Sequence, residues 1–369
     1  MDLRGPWFSN IRTLLQRMYF SPTAVRSVAG SFGAQIGGGA FPTPMTTCGQ
    51  GGLRSTDSPR PVALKTLSPH SGAMLLTSDL AAAGASRREL EAMRSDNSKL
   101  TRGVYVCADI DPWDRHGLLA QAVLSRLRPG AFITGPSAAH AWELPVPSKP
   151  PAEVTVRNIA RGTYGPQIRV MHGEAEYVER NGLLVATPAW TVADCARLLS
   201  PRDALIVADA VLHEELCSEA DLRAVCARLK GSRGVARVRW VIENADPNSE
   251  SPGETWTRLI VKQLGYEVTS QHVVVDGDFH ARLDLLLEDG RTALEFDGKE
   301  KYRKPKGQTV ERTVVNEKNR DARLQVLGYV VLHFLWGQLF QRRHVDLRLR
   351  SAGAHPTRSP LLLPADFCW

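Results

Sequence analysis

The sequence predicts an α/β chain of the multidomain α+β kind, and three observations predict it. Up to residue 73 the chain is rich in Gly, Pro, Ser and Thr without a sustained apolar period, whereas from Leu75 apolar residues recur at helical or strand spacing. Capped helical stretches then dominate as far as Leu264. Beyond them, two apolar runs flank Asp289-Gly290, a strong short-range signal for a β-hairpin. A chain of 369 residues has room for two or three domains, each with its own core.

Charge and cysteine usage narrow the class. The formal net charge is +7, but residues 1–73 hold seven basic and two acidic side chains and so account for +5 of it. Any electrostatic argument must therefore rest on local clusters. Six cysteines, at 48, 107, 195, 217, 226 and 368, form no Cys-x-x-Cys pair and have no histidine at zinc-ligand spacing. They read as reduced thiols of a cytoplasmic protein without structural zinc. No run approaches the roughly 18 apolar residues of a membrane span, and the N-terminus lacks an apolar stretch followed by a small-residue cleavage site, so neither a membrane partner nor a signal peptide is expected.

Residues 1–73, apart from a short helix around Ile11 to Tyr19, offer too little apolar surface to offset their ordering entropy. They read either as a disordered segment or as sequence upstream of a true start at Met74. In 74–110, Asp79 to Ala83 forms a short helix that stops at Gly84, and Ser86-Arg87-Arg88-Glu89 is a capping box that opens a second helix to about Arg94. Leu100 to Val106 then reads as a short strand or hairpin. Helix, tight turn, helix and basic β-wing together predict a winged helix-turn-helix. The second helix of that motif enters the major groove with its first residues near the bases, which places Arg87 and Arg88 there. Lys99 and Arg102 reach phosphates from the wing. The alternative is a small helical module whose arginines are merely solvated.

Residues 111–246 read as a mixed α/β segment. Helices are expected over His116–Leu127, Ser137–Trp142, Thr191–Leu199, Asp203–Glu215, Glu219–Leu229 and Gly234–Asn244, with a strand over Glu153–Arg157. His140 and His172 are isolated and read as structural. No self-sufficient catalytic constellation is present, so the segment is expected to be a scaffold or partner-binding domain. The stretches Gly135-Pro136-Ser137-Ala138-Ala139-His140 and Thr187-Pro188-Ala189-Trp190-Thr191-Val192-Ala193-Asp194, together with the winged-helix pattern, resemble antitoxins of the abortive-infection AbiEi type. That resemblance implies DNA binding. It also raises a cognate toxin, beside a second copy of the chain, as a candidate partner.

After a polar linker, Asp246 to Glu250, residues 251–347 are expected to run helix, strand (Thr269–Val275), strand (Asp278–Leu287), strand (Thr292–Asp297), helix (Val310–Leu327), strand (Tyr329–Leu335). Asp276-Gly277 marks one hairpin turn and Asp289-Gly290 the next. If Asp289 and Gly290 form the second loop, Asp284 lies across from Glu295, and Asp297 points to the same face. Like charges about 5 Å apart destabilise a strand pair, and hard divalent cations such as Mg²⁺ relieve that repulsion. A solvent-facing edge strand is the alternative account of the charges.

An Asp on one strand followed by Glu-x-Asp-Gly at the end of the next resembles the very-short-patch-repair-like branch of the PD-(D/E)XK nuclease superfamily, whose core is α-β-β-β-α-β. The resemblance implies a restriction-endonuclease-like fold and Mg²⁺-dependent cleavage of phosphodiesters. Asp284 and Glu295 would hold the metal, with Glu254 as the helix glutamate of that site. Glu254 is also the last residue of a capping box, Ser251-x-x-Glu254, with Pro252 at the first helical position, and both readings hold together.

Two departures stand out. Asp297 fills the place of the superfamily's usual lysine, so Lys299 takes over the water-polarising role. No histidine follows, and His333 stands where relatives often carry arginine. The basic residues Lys299, Lys301, Arg303, Lys304, Lys306 and Arg320 abut the carboxylates and suit a phosphate-binding rim, unless they are simply a solvated face. Residues 348–369 are a tail, expected to be disordered from Ser351. The sequence thus predicts a DNA-binding protein with a Mg²⁺-dependent endonuclease-like module. The alternative is a repressor or antitoxin-like DNA-binding protein in which the nuclease fold is silent.

Overall fold

In the computed structural model, residues 74–77, 86–88, 91, 99–106, 110–146, 149–160, 162, 164–298 and 310–367 are described, with backbone alone at 75, 76 and 310–317. The expectations for residues 1–73, for the helix Asp79–Ala83 and for Lys299, Lys301, Arg303, Lys304 and Lys306 lie outside them. The protein is a mixed α/β chain with several sheets, and it divides into two compact units, Met1–Ser125 and Arg126–Trp369. No helix among the described residues is long and apolar enough to cross a membrane.

In the first unit, β1 (Leu75–Leu76), β2 (Lys99–Thr101) and β3 (Val104–Tyr105) form an antiparallel sheet in the order β1-β3-β2. Arg87, Arg88 and Glu91 are helical and follow Ser86, where the capping box places them. Helix α1 (Pro112–Leu124) begins earlier than the apolar period suggests, because Asp111 Oδ1 accepts the amide protons of Trp113 and Asp114 and Pro112 takes the first helical position. The cap overrides the pattern. This helix also corrects the expected domain boundary at residue 110: it belongs with the first unit, where Arg115 donates to the carbonyl of Lys99 at 2.7 Å.

The second unit contains two sheets. The first has the order β6-β5-β4-β8-β7 and comprises β4 (Phe132–Ile133), β5 (Val154–Arg157), β6 (Ile168–Val170), β7 (Tyr177–Arg180) and β8 (Leu183–Ala186). Helices α2 (Gly135–Ala141), α3 (Pro188–Leu198), α4 (Pro201–His213), α5 (Glu219–Arg228) and α6 (Val235–Asn244) accompany it. Asp194 in α3, the last residue of the second stretch singled out in the sequence, reaches Thr134, the residue just before the first. It accepts from Arg157 Nε and Nη2, both at 2.7 Å, and from the Thr134 hydroxyl at 2.5 Å, all of them buried.

The segment Asp246 to Glu250 is no plain linker. Asp209 of α4 accepts the amide proton of Asp246 at 2.8 Å, the Thr255 hydroxyl at 2.7 Å and the Arg258 guanidinium at 2.6 Å. Asp246 in turn accepts from Ser270 at 2.6 Å. Helix α7 (Pro252–Gln263), which carries Thr255 and Arg258, is thereby bound to the preceding helices by a buried ion pair whose rupture costs about 3 kcal/mol or more.

The second sheet has the order β12-β11-β10-β9, with β9 (Val268–Asp276), β10 (Phe279–Leu287), β11 (Thr292–Phe296) and β12 (Val330–Phe334). β9, β10 and β11 are antiparallel, and β12 runs parallel to β11 after the crossover helix α8 (Val310–Val326). The first hairpin turn falls at Gly277-Asp278, one residue later than expected. Gly277, at φ +57°, takes the first central position, where a type II′ turn needs glycine. One face packs Leu285, Leu287, Leu294 and Phe296 against Trp256 and Ile260 of α7. The other packs Leu283, Leu286 and Ala293 against Leu324 of α8.

The C-terminal segment is a correction to the expected disorder. After α9 (Trp336–Leu339) and α10 (Arg342–Ser351), Arg358 pairs with Glu288 at 2.6 Å, Leu362 O accepts from Trp240 Nε1 at 2.9 Å, and Phe367 is buried against the Trp240 ring. Its apolar residues are sparse but well placed.

Candidate active site

The register of the central hairpin brings the carboxylates together. Leu285 pairs with Leu294 and Leu286 with Ala293, the register that a turn at Asp289-Gly290 gives, and Asp284 and Glu295 are the next residues beyond the last pair. Asp289 fixes that turn, since its carboxylate accepts from the amides of Arg291 and Thr292 and from the Thr292 hydroxyl.

The strands are not regular at this rung. On β10, Leu283 packs toward α8 while Leu285 packs toward α7, although residues two apart in a flat strand share a face. The pairing of β10 with β9 skips one position between Leu283↔His272 and Leu285↔Ser270, leaving Asp284 and Gln271 facing each other outside the ladder. Gln271 has φ +53°, a left-handed conformation that costs a non-glycine residue on the order of 1 kcal/mol. Asp284 Oδ2 meanwhile accepts the amide proton of Phe296 at 2.9 Å.

Glu254 reaches the same place from α7. A Cβ on Gly253 would lie 2.0 Å from the Phe296 ring, so only glycine lets the first turn of α7 come this close to β11. Glu254 is buried and fully engaged: Oε1 accepts from the Ser251 hydroxyl at 2.7 Å, and Oε2 from the Glu250 amide at 3.0 Å and Gln271 Nε2 at 2.8 Å. Burial pushes its pKa up, these hydrogen bonds pull it back, and the nearby Asp284 carboxylate adds to the rise. Ser251 caps α7 by accepting the Glu254 amide proton, but the Glu254 carboxylate takes the Glu250 amide rather than that of Ser251, so the expected capping box forms only by half, beside Asp284.

Glu295 is held by a cation of the chain's own. Arg320 of α8 donates to both its oxygens, at 2.9 and 2.5 Å, and to the Arg282 carbonyl at 2.7 Å. The guanidinium expected to face phosphates is thus turned inward, and its own pKa is raised, chiefly by the bond to Glu295 and partly by Asp284. Asp297 has a histidine beside it. It binds His333 Nδ1 at 2.9 Å, and the other ring nitrogen meets Asp321 at 3.0 Å. Flanked by two carboxylates, with the Asp297 bond the larger cause, His333 is pushed up to about 9 and carries a proton at neutral pH.

For a hard divalent cation the donor set fits in kind. Asp284 supplies carboxylate oxygens, and the buried Oε1 of Gln271 beside Glu254 has no hydrogen-bond partner among the described residues. Among those residues no three His, Cys, Asp or Glu side chains are grouped to hold a metal; Glu254 is bonded to the Ser251 hydroxyl and Glu295 to Arg320. Gln271, Asp321 and Gly253 escaped the sequence reading. Extending the β9–β10 register from Gly277-Asp278 finds Gln271, but the turn had been placed one residue early.

In the first unit Arg87, Arg88, Lys99 and Arg102 are all exposed. Arg87 pairs with Glu91 at 2.9 Å while its side chain stays 93% accessible.

These features define a two-unit α/β protein with an acidic cluster countered by an internal arginine and a protonated histidine. No family model matches the chain. It is similar to two proteins of Mycobacterium tuberculosis, "Uncharacterized protein Rv2248" of strain H37Rv and "Uncharacterized protein MT2308" of strain CDC 1551. Each is 29% identical over 184 residues, and the match spans 47% of this chain and 65% of the relative. Among solved structures, the RV2827C protein from Mycobacterium tuberculosis matches at a TM-score of 0.31 and 16% identity, over 46% of this chain and 71% of that one.

Proposed function

We propose that the protein binds DNA through its first unit and carries, in its second, a Mg²⁺-dependent endonuclease-like site. The observation that supports it best is Asp284 at a distorted position of β10, one step beyond the Leu285–Leu294 pair and bonded to the Phe296 amide beside Glu295, with Glu254 close enough to feel its charge. Distorted backbone beside converging carboxylates is poor fold chemistry and good site chemistry. The order α7-β9-β10-β11-α8-β12 agrees with the nuclease core that the sequence resembles. Bound Mg²⁺ would polarise the scissile phosphate and lower the pKa of an attacking water. Asp284 and Gln271 Oε1 would hold it, joined by Glu295 once Arg320 moves to the phosphate, while Glu254 orients Gln271. Lys299 follows two residues after Asp297 and is the candidate to steady the water. Exposed Arg87 and Arg88 in a helix that follows Ser86, with Lys99 at the start of β2 and Arg102 on the β2–β3 turn, support the winged-helix reading.

A second reading is favoured by the Arg320–Glu295 pair. An arginine that already neutralises Glu295 removes the repulsion a metal would relieve, as a silent fold in a repressor or antitoxin would require. The deciding experiment incubates supercoiled and linear DNA with the protein, with Mg²⁺ or chelator, beside the Asp284→Asn variant. Cleavage that needs both Mg²⁺ and Asp284 carries the nuclease reading; operator-type binding that is indifferent to both carries the other.

A further inference from the structure

A cavity of about 510 Å³ opens on the second unit, away from the carboxylates. Its lining includes Arg169 and His172 at the β6 edge, Arg197 from α3, Arg233 and Arg237 at the start of α6, and Asp366 from the C-terminal segment. Among the described residues, four guanidiniums thus share one concavity with a single carboxylate. Like charges do not gather without a reason, and the local ion pairs do not supply enough.

Arg169 is answered by Glu153 at 2.7 Å. Arg197 meets Asp194 at 3.3 Å, but Asp194 already receives both prongs of the buried Arg157, so two guanidiniums share one negative charge. Arg237 donates to the carbonyls of Arg197 and Leu199 and lies 4.2 Å from the centre of the Phe367 ring. Arg233 is exposed at the rim.

The backbone is arranged to the same end. Gly234, at φ +81°, caps α6 without any side-chain hydrogen bond, and a Cβ there would come within 3.2 Å of Arg197 Cγ. The glycine lets Arg197 cross the helix start, where the dipole adds to the positive potential.

We infer that this cavity binds a phosphate-bearing small molecule of nucleotide size. Guanidinium forks match phosphate oxygens two at a time, and pockets for such ligands span roughly 300–1,000 Å³. A nucleic-acid backbone would be tracked by an open basic stripe rather than met in a concavity that Asp366 also lines.

Titration calorimetry on the full chain with inorganic pyrophosphate, then with adenosine diphosphate, tests this. Both are expected to bind the wild type. Arg169→Ala and Arg233→Ala, both at exposed positions, each weaken binding roughly tenfold with an unchanged melting temperature, the loss expected for one charged hydrogen bond. Asp284→Asn leaves affinity unchanged, which separates this pocket from the carboxylate site. Absence of binding to the wild type, or unchanged affinity in both arginine variants, overturns the inference. Displacement of pyrophosphate by a short DNA duplex but not by adenosine diphosphate overturns it as well, in favour of a nucleic-acid contact.

Discussion

Asp284 Oδ2 accepts the amide proton of Phe296 at 2.9 Å, so a carboxylate takes up a backbone donor just where the regular pairing of β10 with β11 ends. That bond fixes the side chain beside Glu254 and Glu295 without help from a ligand. It also makes asparagine a clean probe, because an amide oxygen can accept the same proton.

Asp284→Asn should therefore fold, and in chelator melt no lower than the wild type, since like-charge repulsion within the cluster falls. Wild type should gain stability from Mg²⁺ by mass action, and the variant little. Thermal melts with Mg²⁺ and with chelator measure both. Equal metal shifts in the two proteins would remove the support for a metal site at these residues.

Arg320→Gln leaves the buried Glu295 carboxylate with its principal counter-charge gone. Because the arginine side chain is 27% accessible, the expected loss is about 2–3 kcal/mol, below that of a fully buried pair. Urea denaturation in chelator reads the loss. Partial recovery on adding Mg²⁺ is the outcome the nuclease reading requires, and no recovery favours the silent fold.

Gly253→Ala drives a methyl group into the Phe296 ring and is expected to cost about 1–3 kcal/mol while pushing Glu254 away from Asp284. Adding Phe296→Leu should return much of the stability, and a double-mutant cycle measures the coupling. Additive losses would mean that the close approach does not govern this end of α7.

His333 gives a pH signature. Its folded pKa of about 9 lies above the unfolded value of 6.5, so its contribution is fully present below 6.5 and is lost as pH rises through about 9. With partial solvent exposure discounted, unfolding in chelator should lose on the order of 2 kcal/mol across that window. His333→Gln should flatten the profile. An unchanged profile would mean that Asp297 and Asp321 do not hold the ring protonated.

The hairpin was legible because Asp289-Gly290 and the flanking leucines fix one register, in which Leu285 pairs with Leu294 next to Asp284 and Glu295. Helix α7 was legible from its cap, Ser251, whose side chain accepts from the helix's third residue; Ser200 and Ser218 close α4 and α5 in the same way. What the sequence hid was non-local. β4, β6, β7 and β8 are two to four residues long, too short for a period to show. Arg320 lies 25 positions beyond Glu295, and nothing local tells an inward guanidinium from one facing phosphates. The order of the C-terminal segment depends on Trp240 and Glu288, which lie far upstream.

The skipped rung between Gln271 and Asp284 also bears on how the sheet breathes. β9 is an edge strand, secured to the sheet by β10 alone, and its ladder is interrupted at Gln271. Transient opening costs least where backbone hydrogen bonds are missing and the local conformation is already disfavoured. Amides around Ser270 to His272 should therefore exchange with solvent deuterium by small excursions, sooner than those of β11, which is flanked on both sides. Every such excursion exposes the Gln271 amide and the carboxylates beside it, so the slack in the sheet and the entrance to the site are one feature.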